Sequence, residues 1–232
     1  MNLRQNTPLH HTRGSLRIDA DHNVGTKSMA IDYISGMEHG VIAFTGSGKQ
    51  GKSCSLHSLL ALCFPDREKC ILDNSGADIS IFPGYRKATT VSDIPLDSVV
   101  VIEDVNRVFH SRGSSKDPTL QRWLGVISHK GNIVCITTQS LAGTDLEFLR
   151  SQDSVIVNKM MHHEDLNFER PEFRMDQTFA NEWIEFAKEH NPARDGRSWC
   201  FFPRFNECVS IPKVQWWDDR HSHMFRSVRL SQ

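Results

Sequence analysis

The sequence predicts an α/β fold with a central, mainly parallel sheet flanked by helices. Short apolar runs rich in β-branched residues recur along the chain, and stretches with helical spacing separate them. One run, Val41-Ile42-Ala43-Phe44-Thr45, passes into a glycine-rich turn and then into Leu56, Leu59, Leu60 and Cys63 at helical spacing. That order is strand, loop, helix. A second run, Val99-Val100-Val101-Ile102, is apolar at every position, as a strand covered by helices on both faces must be, and it ends in Glu103-Asp104.

The elements follow in order. Residues 1–27 are polar, with Arg4, Arg13 and Arg17 scattered through them, and are expected to form an N-terminal arm. Met29, Ile31, Ile34 and Met37 give a short helix before the first strand. After the helix through Cys63, residues 69–73 read as a second buried strand, and residues 74–98 as a crossover with short strands near 79–82 and 88–91. Beyond the strand at 99–102, residues 105–118 form a basic loop containing Arg107 and Arg112. Leu120, Trp123, Leu124 and Ile127 then mark a helix over 118–128. Residues 132–138 form a strand that ends at Gln139, 141–150 a helical connection, and 153–159 a fifth strand. Phe179, Trp183, Ile184 and Ala187 give a further helix. A last β region at 199–202 and 208–211 precedes Trp216-Trp217 and a basic tail, with the tryptophans expected to pack on the domain. This divides the chain into an arm (1–27), a core (28–192) and a C-terminal extension (193–232).

With 232 residues, 38% hydrophobic and 24% charged, the chain has the composition of a soluble globular protein with a sizeable core. No apolar run approaches a membrane span, and the polar residues 1–6 lack a signal-peptide core, so the expected location is intracellular. The net charge of -1 provides no overall attraction for nucleic acid, and any such contact must come from local patches. Six cysteines without a C-x-x-C read as buried thiols, and the histidine clusters lack partners at zinc spacing.

The chemistry begins at Gly46-Ser47-Gly48-Lys49-Gln50-Gly51-Lys52-Ser53, which fits G-x-x-x-x-G-K-[ST]. The glycines let backbone amides point at phosphate oxygens without a Cβ in the way. This loop, with Cys54 behind it, is the expected binding site of a nucleoside triphosphate, ATP. The N-terminus of the following helix adds its partial positive charge to the same anion. Lys52 would reach the β- and γ-phosphates and Ser53 would ligate Mg²⁺. Glu103 and Asp104 lie where open α/β sheets bind ligands, so that one carboxylate can serve the Mg²⁺ shell while the other handles the attacking water. Gln139, ending a neighbouring strand, can hydrogen-bond the γ-phosphate or that water. A GTP-binding switch is a rival reading, since Asp73-Asn74-Ser75-Gly76 fits D-x-x-G and Asn158-Lys159 begins N-K-x-D. Position 161, however, is Met161, which cannot read a guanine. A small-molecule kinase would want clustered arginines in a lid segment, which are not evident. A scaffold that binds nucleotide without turnover is the rival from another class.

The order of phosphate loop, acid-terminated strand and the stretch Ser128-His129-Lys130-Gly131-Asn132-Ile133-Val134-Cys135-Ile136-Thr137-Thr138-Gln139 resembles the FtsK/HerA superfamily of P-loop ATPases. Within it, the chain is similar to the genome-packaging ATPases of icosahedral viruses with an internal membrane. The resemblance covers residues 40–160 best. It implies a RecA-like, ASCE-type P-loop NTPase fold and a homo-oligomeric ring, pentameric or hexameric, that moves double-stranded DNA by ATP hydrolysis. It also implies a capsid-vertex or viral-membrane partner, a location in the host cytoplasm or virion, and an active site completed by a neighbour's arginine. Arg150 is the best match to that arginine, with Arg107 and Arg112 behind it. The chain departs from the family in one respect. Its acidic strand ends with glutamate then aspartate, where the family has aspartate then glutamate, so the roles of the two acids stay open.

Overall fold

The computed structural model describes residues 17–19, 28–46, 50–73, 76–105, 126–127, 129–139, 154–159, 181, 185, 197–205 and 207–224. Ser47, Gly48 and Lys49 of the glycine-rich loop, Arg107, Arg112 and Arg150 lie outside them. So do nearly all of the helices expected over 118–128, 141–150 and 179–187, and the tail from 225 onward.

Among the described residues nine strands form one sheet, in the order β1-β9-β8-β7-β2-β6-β5-β3-β4. The middle of it is a parallel run: β7 (Ser154–Asn158), β2 (Gly40–Thr45), β6 (Ile133–Thr138), β5 (Val99–Ile102) and β3 (Lys69–Leu72), the five strands expected from sequence, with β4 (Tyr85–Ala88) beside β3. β8 (Arg197–Phe202) joins β7 antiparallel and β9 (Glu207–Pro212) joins β8 antiparallel, so the C-terminal β region continues the same sheet. The arm contributes β1 (Arg17–Asp19), parallel to β9. No helix among the described residues is long and apolar enough to cross a membrane.

Alternation along the parallel strands sorts side chains into two cores. Ile42 and Phe44 of β2 face α2 (Lys52–Cys63), together with Ile71, Val99, Val101 and Cys135. Val41 and Ala43 face the other way, with Cys70, Val100, Ile102, Val134 and Ile136. Both layers are closed, which is why these strands carry no polar face. α2 itself is buried from Ser55 through Leu60, so it runs through the core rather than over its surface. The six cysteines are free thiols, five of them buried. Burial pushes the Cys63 and Cys70 thiols up to about 11, as befits packing rather than reactive groups.

Three local expectations are corrected. Residues 79–81 form a 3₁₀ turn, not a strand, because the Asp78 carboxylate caps Ser80 N–H at 2.9 Å and winds the chain. The crossover strand is Tyr85–Ala88, with Val91–Asp93 another 3₁₀ turn. In α1 (Met29–Ser35) the buried face is Ala30 and Ile34, while Met29 is exposed. α1 is oriented by the buried carboxylate of Glu207 on β9, which accepts hydrogen bonds from Ser28 Oγ (2.8 Å), Ala30 N–H (3.0 Å) and Met29 N–H (3.2 Å). An anion at a helix N-terminus is the arrangement that the backbone dipoles favour.

The register sets the site. β6 lies between β2 and β5, with Thr45 level with Thr138 and Ile102 level with Ile136. The strand leading into the phosphate loop is therefore separated from the acid-bearing strand by one strand. Glu103, one residue past Ile102, falls beside Thr137.

Candidate active site

The loop entering α2 is built for close approach. Gly46 has φ +148°, and a Cβ there would sit 3.0 Å from the Cβ of Lys159. Gly51, the residue before α2, is left-handed at φ 75° and supplies no side-chain cap. The first-turn amides of Lys52, Ser53 and Cys54 therefore receive no side-chain cap from Gly51, and a helix start of this kind is suited to receive phosphate. Lys52 Nζ donates to the Gly46 carbonyl at 2.7 Å. Burial lowers the Lys52 pKa, and the charges of Asp104 and Glu103 act against that.

Glu103 is buried at the end of β5. Its Oε2 accepts from Ser53 Oγ at 2.7 Å and from Thr137 Oγ1 at 2.8 Å. His57 Nε2 lies 3.2 Å from Oε1, and neither of these two atoms has an aligned hydrogen-bond partner. Burial alone would push the Glu103 carboxyl up. His57, Ser53 and Thr137 outweigh it and hold the group below its ordinary value.

Asp104 adopts a left-handed backbone, φ 51°. Aspartate tolerates this better than most residues, and such conformations concentrate at functional sites. The turn aims Asp104 N–H at Thr137 Oγ1, 2.7 Å away, and leaves Asp104 half-exposed. Thr137 thus bonds to both acids at once, as acceptor for Asp104 and as donor to Glu103.

These contacts set the two acids apart. Glu103 is the carboxylate joined to the phosphate-loop serine, where a metal-shell acid would stand, and Asp104 is the half-exposed one. The residues present fit Mg²⁺. Ser53 gives its proton to Glu103, leaving its oxygen lone pairs for a cation, and Glu103 Oε1 is a buried carboxylate oxygen short of donors. Among the described residues no three His, Cys, Asp or Glu side chains form a closed metal cage. Mg²⁺ is usually held by one or two carboxylates together with phosphate oxygens and water.

Of the residues singled out from sequence, Lys52, Ser53, Glu103 and Asp104 converge. Gln139 is exposed, immediately after β6 and therefore between the phosphate-loop strand and the acid strand. Gln50 and Cys54 are half-buried beside the loop. Burial raises the Cys54 pKa, opposed mainly by Lys213 and a hydrogen bond with Ser58, so Cys54 contributes backbone rather than a thiolate. Ser47, Gly48, Lys49 and Arg150 lie outside the described residues. Lys159 is buried and gives its ammonium to the Trp199 carbonyl, so it is not presented to a base as an N-K-x-D lysine would be. Sequence reasoning assigned no role to Thr137 or His57. The signals were a hydroxyl two residues before Gln139 and a histidine four residues after Ser53.

No protein-family model matches the chain, and a comparison with curated proteins found no match. Among solved structures, the chain is similar to the genome packaging NTPase B204 from Sulfolobus turreted icosahedral virus 2 in complex with AMPPCP. That likeness has 15% identity, a TM-score of 0.49, and covers 76% of this chain and 99% of that one. It is also similar to B204, the DNA-packaging ATPase from Sulfolobus turreted icosahedral virus (11% identity, TM-score 0.49, 76% and 98% covered). A third likeness is to the pCW3 conjugation coupling protein TcpA with ATPgS (13% identity, TM-score 0.47, 79% and 63% covered). At this level the roles of the site residues rest on the geometry above. By its strand order and by the strand–loop–helix that holds Lys52 and Ser53, the chain has the RecA-like fold of P-loop NTPases.

Proposed function

We propose that the chain hydrolyses ATP and uses the hydrolysis to translocate double-stranded DNA as a ring of identical subunits. The observation that carries the hydrolytic part is the 2.7 Å hydrogen bond from Ser53 Oγ to Glu103 Oε2. A site that only gripped phosphate would need the loop and Lys52. Here the loop serine is tied to a buried carboxylate two strands away, with a second, half-exposed carboxylate next to it.

The loop amides and the α2 N-terminus bind the triphosphate, and Lys52 exchanges the Gly46 carbonyl for phosphate oxygens. Mg²⁺, when bound, neutralises charge that develops on the phosphate oxygens. Ser53 would present its oxygen to the ion while Glu103 keeps the hydroxyl proton turned away. Asp104 orients the attacking water and accepts its proton, and Gln139 hydrogen-bonds that water or the γ-phosphate. Arg150 of a neighbouring subunit completes the charge neutralisation.

The DNA-translocating part is supported by the sequence resemblance of residues 128–139. Its fullest form is packaging of viral DNA into a preformed capsid, through a capsid-vertex or viral-membrane partner in the host cytoplasm. Phosphate release measured with and without double-stranded DNA tests the motor reading. Several-fold stimulation by DNA is expected. Turnover that ignores DNA would leave an ATPase and remove the motor.

A further inference from the structure

α2 carries a histidine in the core, where an apolar side chain would pack without cost. His57 is fully buried, one helical turn past Ser53 and on the same face. The rings of Phe82, Tyr85, Trp216 and Trp217 surround it, with centroids 5.0, 5.1, 5.7 and 5.3 Å away. Its Nδ1 is 2.8 Å from the Tyr85 hydroxyl and its Nε2 is 3.2 Å from Glu103 Oε1. Burial raises the Tyr85 phenol far above its ordinary range, so the hydroxyl keeps its proton. One tautomer matches the two neighbours, with Nδ1 hydrogen-bonded to Tyr85 and Nε2 close to Oε1 without alignment as a hydrogen bond. Tyr85 O–H donates to Nδ1, and Nε2–H faces the carboxylate.

We propose that His57, backed by Tyr85, positions the Glu103 carboxylate and thereby sets the Mg²⁺ requirement of nucleotide binding. The inference rests on the reading of Glu103 as the metal-shell acid. Both hydrogen bonds from Ser53 and Thr137 fall on Oε2, so they leave the carboxylate able to pivot about that oxygen. His57 is the group that faces Oε1 and resists the pivot. A pivot about Oε2 displaces Oε1, the carboxylate oxygen left short of donors, so the ring that faces Oε1 governs how well the site receives the cation. His57 is a positioning residue, and its box draws together the crossover (Phe82, Tyr85) and the C-terminal segment (Trp216, Trp217).

The test titrates Mg²⁺ against binding of a non-hydrolysable ATP analogue to the full chain, with a parallel measurement in EDTA and thermal unfolding of each variant. His57→Phe keeps an aromatic ring in the box, and Tyr85→Phe removes only the hydroxyl behind it. In His57→Phe the half-saturating Mg²⁺ concentration is expected to rise about tenfold. In Tyr85→Phe it rises less, and His57→Gln, which keeps a donor near Oε1, recovers part of the loss. Metal-free binding stays as in the natural chain. Folded variants with the natural Mg²⁺ dependence overturn the proposal, and if His57→Phe does not fold, Tyr85→Phe decides alone. A natural chain whose binding ignores Mg²⁺ overturns the metal-shell reading of Glu103 itself, whereas a natural chain that responds, with variants responding identically, overturns His57 only.

Discussion

Asp104→Asn is expected to lower kcat for ATP by about 10²- to 10⁴-fold, the range associated with losing a general base, while nucleotide and Mg²⁺ binding stay unchanged. Asparagine has the same shape and tolerates the left-handed backbone at φ 51°. Asp104 N–H still reaches Thr137 Oγ1, so the turn and Glu103 keep their places. What disappears is the half-exposed carboxylate beside Glu103, the group proposed to take a proton from water. Steady-state kinetics together with analogue binding check it. A parallel loss of binding would mean that the two acids have the opposite roles.

Glu103→Gln is expected to damage binding as well as turnover. An amide has a single oxygen, which cannot reproduce both the Oε2 contacts and the negative charge facing His57. Mg²⁺-dependent binding should weaken by about tenfold or more, and turnover should fall at least as far. Glu103→Ala should also destabilise the fold by about 3–5 kcal/mol, because Ser53, Thr137 and His57 lose a shared buried partner. The pH dependence has a definite sign. Burial works to raise the Glu103 pKa, but His57, Ser53 and Thr137 win and hold it below the ordinary 4.5. Its ionised form therefore adds stability that is complete above that value and is lost as the pH falls through the lowered folded pKa. Thermal unfolding of the natural chain should become acid-sensitive there, and Glu103→Gln should flatten that limb.

Much of this site was legible because its parts are local in sequence. The spacing from Gly46 to Ser53 needs only a strand before it and a helix after it, and both are present. The parallel sheet was legible because Val99–Ile102 is apolar on both faces. The difference between the acids was not, since two adjacent carboxylates look alike until the β5–β6 register and the Asp104 turn send one inward and leave the other half-exposed. His57 was hidden for a related reason. Its partners come from residues 82–85, 103 and 216–217, and no local pattern announces such a meeting. The tryptophan pair packs as expected, with Trp217 buried, but what it packs on is that histidine. β4 was misplaced because Ile79-Ser80-Ile81 alternates like a strand, whereas Arg86 and Lys87 make the true edge strand look polar. β1 has no pattern of its own and exists through its pairing with β9.

The central claim is that Lys52, Ser53, Glu103 and Asp104 form one hydrolytic site for Mg²⁺-bound ATP. Phosphate release by the natural chain and by Lys52→Ala, measured side by side, tests it most directly. A lysine–phosphate contact contributes about 1.5–3 kcal/mol, and the same charge is needed as the γ-phosphate departs. The site described here predicts measurable turnover by the natural chain and its loss in Lys52→Ala. Equal, negligible turnover in both would contradict it.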